Sequence, residues 1–251
     1  MVWYNMGMAM KALIPAAGHG TRFAPFTRLV PKEMLPIGAR PAIALIVDEA
    51  IEAGADEVVI ITSPEKPLLK KWFEIEPPKV KLTWIDQLEQ HGLGHAVLQA
   101  APLLENETEP VLILLGDALV SGGNASKEMA ELSRANGGAS VIGCEKVSMD
   151  RVSRYGIMKL DGRRIVDMVE KPSIEEAPSN IAVAGRYLLD PAIFSYLKTQ
   201  APGKGGEIQI TDAIRRMLAD KPVLAHVYPG HRHDIGNPAG YLRALEAMSE
   251  S

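Results

Sequence analysis

Over the first half of the chain, short continuous apolar runs alternate with longer stretches in which apolar residues recur every third or fourth position. These are the signatures of buried strands and amphipathic helices. The pattern predicts a strand over 11–15, a helix over 41–54 that ends near Gly54, a strand over 57–62 and a helix over 65–74. A strand is expected over 80–86 and a helix over 94–104. Val111-Leu112-Ile113-Leu114-Leu115 then offers no polar face and reads as a strand covered on both sides. Such alternation implies a Rossmann-like α/β fold, a mostly parallel sheet with helices on both faces.

Beyond residue 139 the pattern changes. Residues 140–147, 156–160, 163–170 and 182–189 read as strands with few helices between them, so an antiparallel extension that supplies a pocket wall is expected. Helices return over 191–199 and 208–220, a strand over 223–228, and a last helix from 238. No internal repeat or low-complexity linker interrupts the series. Residues 11–251 are therefore read as one domain, preceded by an N-terminal extension over 1–10.

Composition narrows the possibilities. The 251 residues are 47% hydrophobic and 23% charged, as in ordinary globular proteins, and the formal net charge of −4 offers no broad attraction to nucleic acid or to an anionic membrane. The single cysteine, Cys144, excludes an intrachain disulfide and fits a reducing compartment. It follows Gly138-Ala139-Ser140-Val141-Ile142-Gly143, which points to a buried structural thiol rather than a nucleophile. No apolar run approaches the roughly 20 residues of a membrane-spanning helix, and the first ten residues lack a secretory pattern, so a cytoplasmic location is expected.

The candidate chemistry sits where predicted strands end. After the first strand comes Ala16-Ala17-Gly18-His19-Gly20-Thr21-Arg22, and shortly afterwards Pro31-Lys32-Glu33-Met34-Leu35-Pro36. Small residues let backbone N–H groups approach phosphate oxygens, while Arg22 and Lys32 neutralise charge that amides only solvate. The string is not a P-loop, and Phe23 stands where a dinucleotide fingerprint needs its third glycine. On these residues alone, an ordinary glycine-rich turn remains an alternative. In open sheets ligands gather beyond the carboxyl ends of strands, where Gln87 and Asp117 also lie. Asp117 and the late Asp234 are two loop carboxylates suited to Mg²⁺, which takes few protein oxygens plus phosphates and water. Either could equally cap a turn. Lys171, at a strand end, suits a second phosphate, with a solvated lysine as the alternative. Gly92-Leu93-Gly94-His95-Ala96 opens a helix whose free N–H groups favour an anion or a carbonyl, though His95 could equally be a helix residue with no ligand role, and His231 and His233 lack the third ligand that zinc requires.

Taken together, several strings resemble one family, the bacterial UTP:glucose-1-phosphate uridylyltransferases of the sugar nucleotidyltransferase group. They are Ala16 to Arg22, the Pro31 to Pro36 segment, Gln87 with Gly92-Leu93-Gly94-His95-Ala96-Val97, Tyr155-Gly156, Val169-Glu170-Lys171-Pro172, Ala177-Pro178-Ser179-Asn180, Gly185-Arg186-Tyr187, Glu207-Ile208-Gln209-Ile210-Thr211-Asp212-Ala213 and His233-Asp234-Ile235-Gly236-Asn237. They fall in the family's order, with Gly116 where proline is usual and His19 where leucine often stands.

The resemblance implies the nucleotide-diphospho-sugar transferase fold and the reaction of UTP with glucose 1-phosphate to give UDP-glucose and pyrophosphate. It implies that Ala16, Ala17, Gly18, Gly20 and Thr21 approach the nucleotide and that Glu33, Gln87 and Gly92 frame its base. Gly156, Glu170 and Gly185 would contact the sugar and Lys171 its phosphate. Asp117 and Asp234 would hold Mg²⁺, with Arg22 and Lys32 on the departing pyrophosphate. A homo-oligomer is also expected. The competing readings are a transferase for another nucleotide such as dTTP or another sugar 1-phosphate, and a catalytically silent sensor.

Overall fold

A computed structural model describes residues 10–248. Of the expected N-terminal extension, all but Met10 lies outside the described residues.

The first strand, β1 (Met10–Pro15), is followed by three short 3-10 turns and by the two-residue strands β2 (Pro36–Ile37) and β3 (Arg40–Pro41). Helix α1 (Ala42–Ala53) buries Ala42, Ile43, Ile46, Val47, Ala50 and Ala53 along one stripe. It stops at Gly54, whose left-handed backbone (φ 104°) returns its N–H to the last turn. Strand β4 (Ala55–Thr62), helix α2 (Pro67–Ile75) and strand β5 (Lys81–Asp86) follow.

The helix expected over 94–104 is two helices, α3 (Leu93–Leu98) and α4 (Ala101–Leu104). Pro102 lies in the first turn of α4. Its ring is incompatible with the carbonyl four residues earlier and it has no N–H, so one continuous helix cannot pass through it. Strand β6 (Val111–Leu114) is fully buried, as its composition demands.

Strands β5, β4, β1 and β6 lie side by side in that order and are all parallel. From β1 the chain steps outward to β4 and β5, then crosses to β6 on the other side of β1. That reversal opens a crevice beyond the carboxyl ends of β1 and β6.

The second half begins with β7 (Ala118–Ser121) and helix α5 (Ala125–Ala135), neither of them expected from the sequence. The inward face of α5 carries Ala125, Ser126, Met129, Ala130 and Ser133, too small and polar to give an apolar period. Its start is fixed instead by Asn124, whose side chain accepts the N–H of Lys127 at 2.8 Å. Then come β8 (Ser140–Lys146), β9 (Gly156–Asp161), β10 (Arg164–Glu170) and β11 (Ile181–Leu189), all close to their expected positions. Helices α6 (Ile193–Lys198) and α7 (Ile210–Met217), strands β12 (Val223–Val227) and β13 (His231–Asp234), and helix α8 (Pro238–Met248) complete the chain.

All nine residues of β11 are buried, because it runs antiparallel between β6 and β8 in the middle of the sheet. The nine strands stand in the order β5-β4-β1-β6-β11-β8-β12-β10-β9, and β9 also pairs with β11. The second half is mixed rather than purely antiparallel, since β12 runs parallel to β8. Two apolar layers cover the sheet, one built with α3, α4, α6 and α7 and the other with α1, α2, α5 and α8.

Two internal residues test this packing. Arg186 is fully buried on β11, yet its guanidinium is satisfied by Glu49 of α1 at 2.8 and 2.6 Å and by the carbonyls of Ala118 and Gly185. It ties a helix, a strand and the β6–β7 corner together. Cys144 is buried on β8, and burial pushes its thiol up to about 12, with Glu145 adding to the effect. Native protein incubated with an aromatic disulfide reagent at pH 8 is expected to leave Cys144 unreacted, while the denatured chain releases about one equivalent of thiolate.

Candidate functional site

The loop leaving β1 is built so that its carbonyls face inward. Lys66, in the loop between β4 and α2, donates to the carbonyls of Ala16 at 2.7 Å and Gly18 at 2.6 Å, and Gln90 donates to the carbonyl of Ala17 at 2.8 Å. Gly20 adopts a left-handed conformation (φ 66°) that turns the chain, and Thr27 closes the turn by donating to its carbonyl at 2.7 Å. Among the described residues, the N–H groups of residues 17–22 have no intramolecular hydrogen-bond acceptor. With carbonyls tied down and amides free, the loop is a ready anion nest.

Glu33 supports this loop from below. It is 1% exposed, and both of its carboxylate oxygens lie 3.0 Å from Lys66 Nζ. Burial raises the Glu33 carboxyl and lowers the Lys66 ammonium, each partly opposed by the other's charge. Glu33, expected to frame a base, is thus also the anchor of a buried ion pair.

The carboxylates gather at the opposite lip. Strands β7 and β13 form an antiparallel ribbon in which Ala118 faces Asp234, so Asp117 at one strand's entrance lies beside Asp234 at the other's exit. The Ile235 N–H donates to the Asp117 carbonyl at 3.0 Å, which locks this register. Lys32 Nζ lies 2.5 Å from Asp117, and Arg22 reaches Asp234 with a two-pronged contact at 2.9 and 3.3 Å. Burial would raise the Asp117 carboxyl, but Lys32, Arg232 and Arg22 outweigh it and hold the group below its ordinary range. Burial likewise disfavours charge on Lys32, and Asp117 with Glu33 more than restores it. Four alternating charges therefore meet over Gly236. A Cβ there would stand 2.7 Å from the Arg22 guanidinium, 3.0 Å from Asp234 Oδ1 and 3.1 Å from Asp117 Oδ2.

A third group lines the antiparallel wall. Gly156 faces Glu170 across β9 and β10, and a Cβ on Gly156 would press within 3.2 Å of the Glu170 carboxylate. Thr211 donates to that carboxylate at 2.6 Å. Next in sequence, Lys171 is, among the described residues, the one non-glycine with a positive φ, 46°. The Tyr155 carbonyl accepts the Lys171 N–H at 2.9 Å, and Lys204 donates to the Lys171 carbonyl. Backbone held in this region by surrounding bonds is common where a side chain must be aimed. Gly185 sits in a bulge of β11 (φ 78°) where a Cβ would crowd Leu115 and Ala118.

The structure brings Arg22, Asp117, Lys171 and Asp234 to the wall of one cleft of about 1060 Å³. Lys32 reaches it through Asp117, and its ammonium passes 3.5 Å from where a Gly18 Cβ would be. Gln87 is buried at the end of β5, with its amide 2.8 Å from His95 Nδ1. Gly92 (φ 96°) starts α3 where a Cβ would strike the Glu207 Cβ and the Ile208 backbone. Thr21 and Arg22 form the short 3-10 turn that follows Gly20. His233 turns away from the carboxylates to Ser121 at 2.8 Å. Among the described residues there is no cluster of three or more histidine, cysteine or acidic side chains fit for a metal.

Two contributors escaped the sequence reading. Lys66 follows the end of β4, so the strand-end rule that singled out the other loops could have found it. Arg232 points along the same strand face as Asp234 and lines the cleft, but nothing local in its sequence marks it.

Residues 11–251 match the model of the nucleotidyl transferase family. A UTP--glucose-1-phosphate uridylyltransferase of Staphylococcus haemolyticus is 40% identical over 266 aligned positions, spanning 95% of this chain and 91% of the relative. Among solved structures, a UDP-glucose pyrophosphorylase complexed with UDP-glucose superposes with a TM-score of 0.89 at 38% identity, covering 97% of this chain and 99% of the other. A UTP-bound enzyme of the same kind from Acinetobacter baumannii gives 0.81 at 31% identity, over 95% and 93% of the two chains.

Proposed function

The chain belongs to the nucleotidyl transferase family, and on that premise we propose that it is a UTP:glucose-1-phosphate uridylyltransferase, making UDP-glucose and pyrophosphate from UTP and glucose 1-phosphate. The observation that carries the reading is the meeting of an anion nest, two carboxylates and two cations at the β1–β6 crevice.

The sugar phosphate is already an anion near neutral pH, so attack on the α-phosphorus needs no strong base. It needs alignment and relief of repulsion between anions. One oxygen of glucose 1-phosphate forms the new P–O bond as the bond to the β-phosphate oxygen breaks and pyrophosphate leaves. The free amides of residues 17–22 receive the polyphosphate, Arg22 and Lys32 take up the charge that develops on pyrophosphate, and Lys171 holds the attacking phosphate. Gln87 and Gly92 border the base, with Glu33 beneath. Gly156, Glu170 and Gly185 shape the sugar pocket, where Glu170 and Thr211 offer hydrogen bonds to hydroxyls.

Asp117 and Asp234 would hold Mg²⁺. Two adjacent carboxylates, with room kept between them by the missing side chain of Gly236, suit an ion that shares its remaining positions with phosphate and water. Such an ion neutralises phosphate charge in the crowded site. The resting pairs Arg22–Asp234 and Lys32–Asp117 keep the four groups in place until substrates divide them. We further propose a homo-oligomer acting in the cytoplasm; among the described residues, no helix is long and apolar enough to cross a membrane.

Pyrophosphate release, measured over UTP, dTTP and several sugar 1-phosphates with and without Mg²⁺, tests the reading. UTP with glucose 1-phosphate is expected to exceed any other pair by at least about tenfold in kcat/KM, and chelation should abolish release. Faster release with dTTP would reassign the nucleotide, and no release with any pair would favour a sensor.

A further inference from the structure

Two arginines with little exposed side chain contrast sharply. Arg186 spends its guanidinium on four hydrogen bonds within the fold. Arg232 is also largely buried, at 11% side-chain exposure, yet its Nε has no hydrogen-bond partner among the described residues. Its Nε forms an ion pair with Glu145 at 3.6 Å, too long for a hydrogen bond, and its guanidinium rests 4.6 Å from the centre of the Tyr155 ring. A guanidinium carries several donors and is costly to bury with them unmet. An aromatic face supplies attraction without consuming those donors.

The surroundings indicate what that donor awaits. Arg232 lies on β13 with its side chain on the Asp234 side, and it borders the cleft with Lys171 and Asp117. Tyr155 links the cations on this wall. Its carbonyl fixes the Lys171 backbone at 2.9 Å, its hydroxyl accepts from Arg151 at 2.6 Å, and its ring carries Arg232. Three cations held by one residue, bordering the same cleft beside the carboxylates, suit a phosphate monoester. Arg22 and Lys32 serve the other lip.

We propose that Arg232 is a substrate-binding residue that, with Lys171, grips the phosphate of the sugar 1-phosphate and aims it at the α-phosphorus, with Tyr155 as its platform. This rests on the transferase reading and adds a contact to it. A planar fork on one side and a point charge on the other fix the orientation of a tetrahedral phosphate better than either alone.

The test compares wild type with Arg232→Gln and Arg232→Lys by KM for each substrate, by calorimetric titration with glucose 1-phosphate, and by thermal melting. Arg232→Gln is expected to raise KM for glucose 1-phosphate about 10- to 100-fold, from the loss of charged hydrogen bonds, with KM for UTP within about twofold. Arg232→Lys should recover only part of this, because it restores charge without the fork. Equal rises for both substrates, or an unchanged KM for glucose 1-phosphate, would overturn the assignment and leave Arg232 a structural residue. If Arg232→Gln does not fold, Arg232→Lys decides the matter: a rise of at least about threefold confined to glucose 1-phosphate supports the contact, and wild-type values overturn it. Wild-type protein that neither binds nor turns over glucose 1-phosphate would instead overturn the transferase reading.

Discussion

Asp117→Asn is expected to lower kcat by about 10³-fold, the scale lost when a group that stabilises transition-state charge is removed from a preorganised site. Asn keeps the shape and the backbone bond from Ile235, but it gives up the anion that Lys32, Arg22 and Arg232 surround. Those cations are what hold the carboxylate ionised, so removing the charge also costs some stability. A loss of about 1–3 kcal/mol leaves a protein of ordinary stability folded at 25 °C, so turnover should fall far more than the folded fraction. The apparent requirement for Mg²⁺ should rise in parallel. Steady-state rates across a Mg²⁺ series, alongside circular dichroism, check both parts; wild-type turnover in the folded variant would remove Asp117 from the site.

The second large effect falls on stability. Lys66→Met leaves Glu33 buried without its cation and strips the carbonyls of Ala16 and Gly18 of their donor. Breaking a buried pair from one side costs about 3–5 kcal/mol, which for a chain of this size corresponds to a Tm lower by about 10 °C. The same lysine pins the loop's carbonyls inward, so KM for UTP should also rise. The double variant Glu33→Leu with Lys66→Met removes both charges and should regain much of the Tm. It should not regain UTP affinity, because the carbonyls remain untied. Calorimetric melting and UTP titration of the three proteins separate the two roles. Equal recovery of Tm and affinity in the double variant would show that the lysine does not shape the loop.

The sheet was largely legible because its central strands are continuous apolar runs, and burial on both faces leaves them no alternative. Where an element depends on something other than apolar period, the sequence was silent. Helix α5 buries serines that reach Glu49 and the Ala139 carbonyl, and it starts at a capping asparagine. The β7–β13 ribbon includes His231-Arg232-His233-Asp234, which has no apolar side and is a strand only because β7 pairs with it. The site divided along the same line. Gly18, Arg22 and Lys32 share a short segment and could be read together, but Arg232 becomes intelligible only beside Tyr155. Glu33 acquires its structural duty only once Lys66 is seen against it.

The Arg22–Asp234 pair spans 212 positions of sequence. The nest follows the first described strand and Asp234 ends the last, so the two halves of the site come from opposite ends of the chain. A charge network assembled from both ends of the sequence exists only in the folded chain, so the proposed reaction centre is expected to report on completed folding.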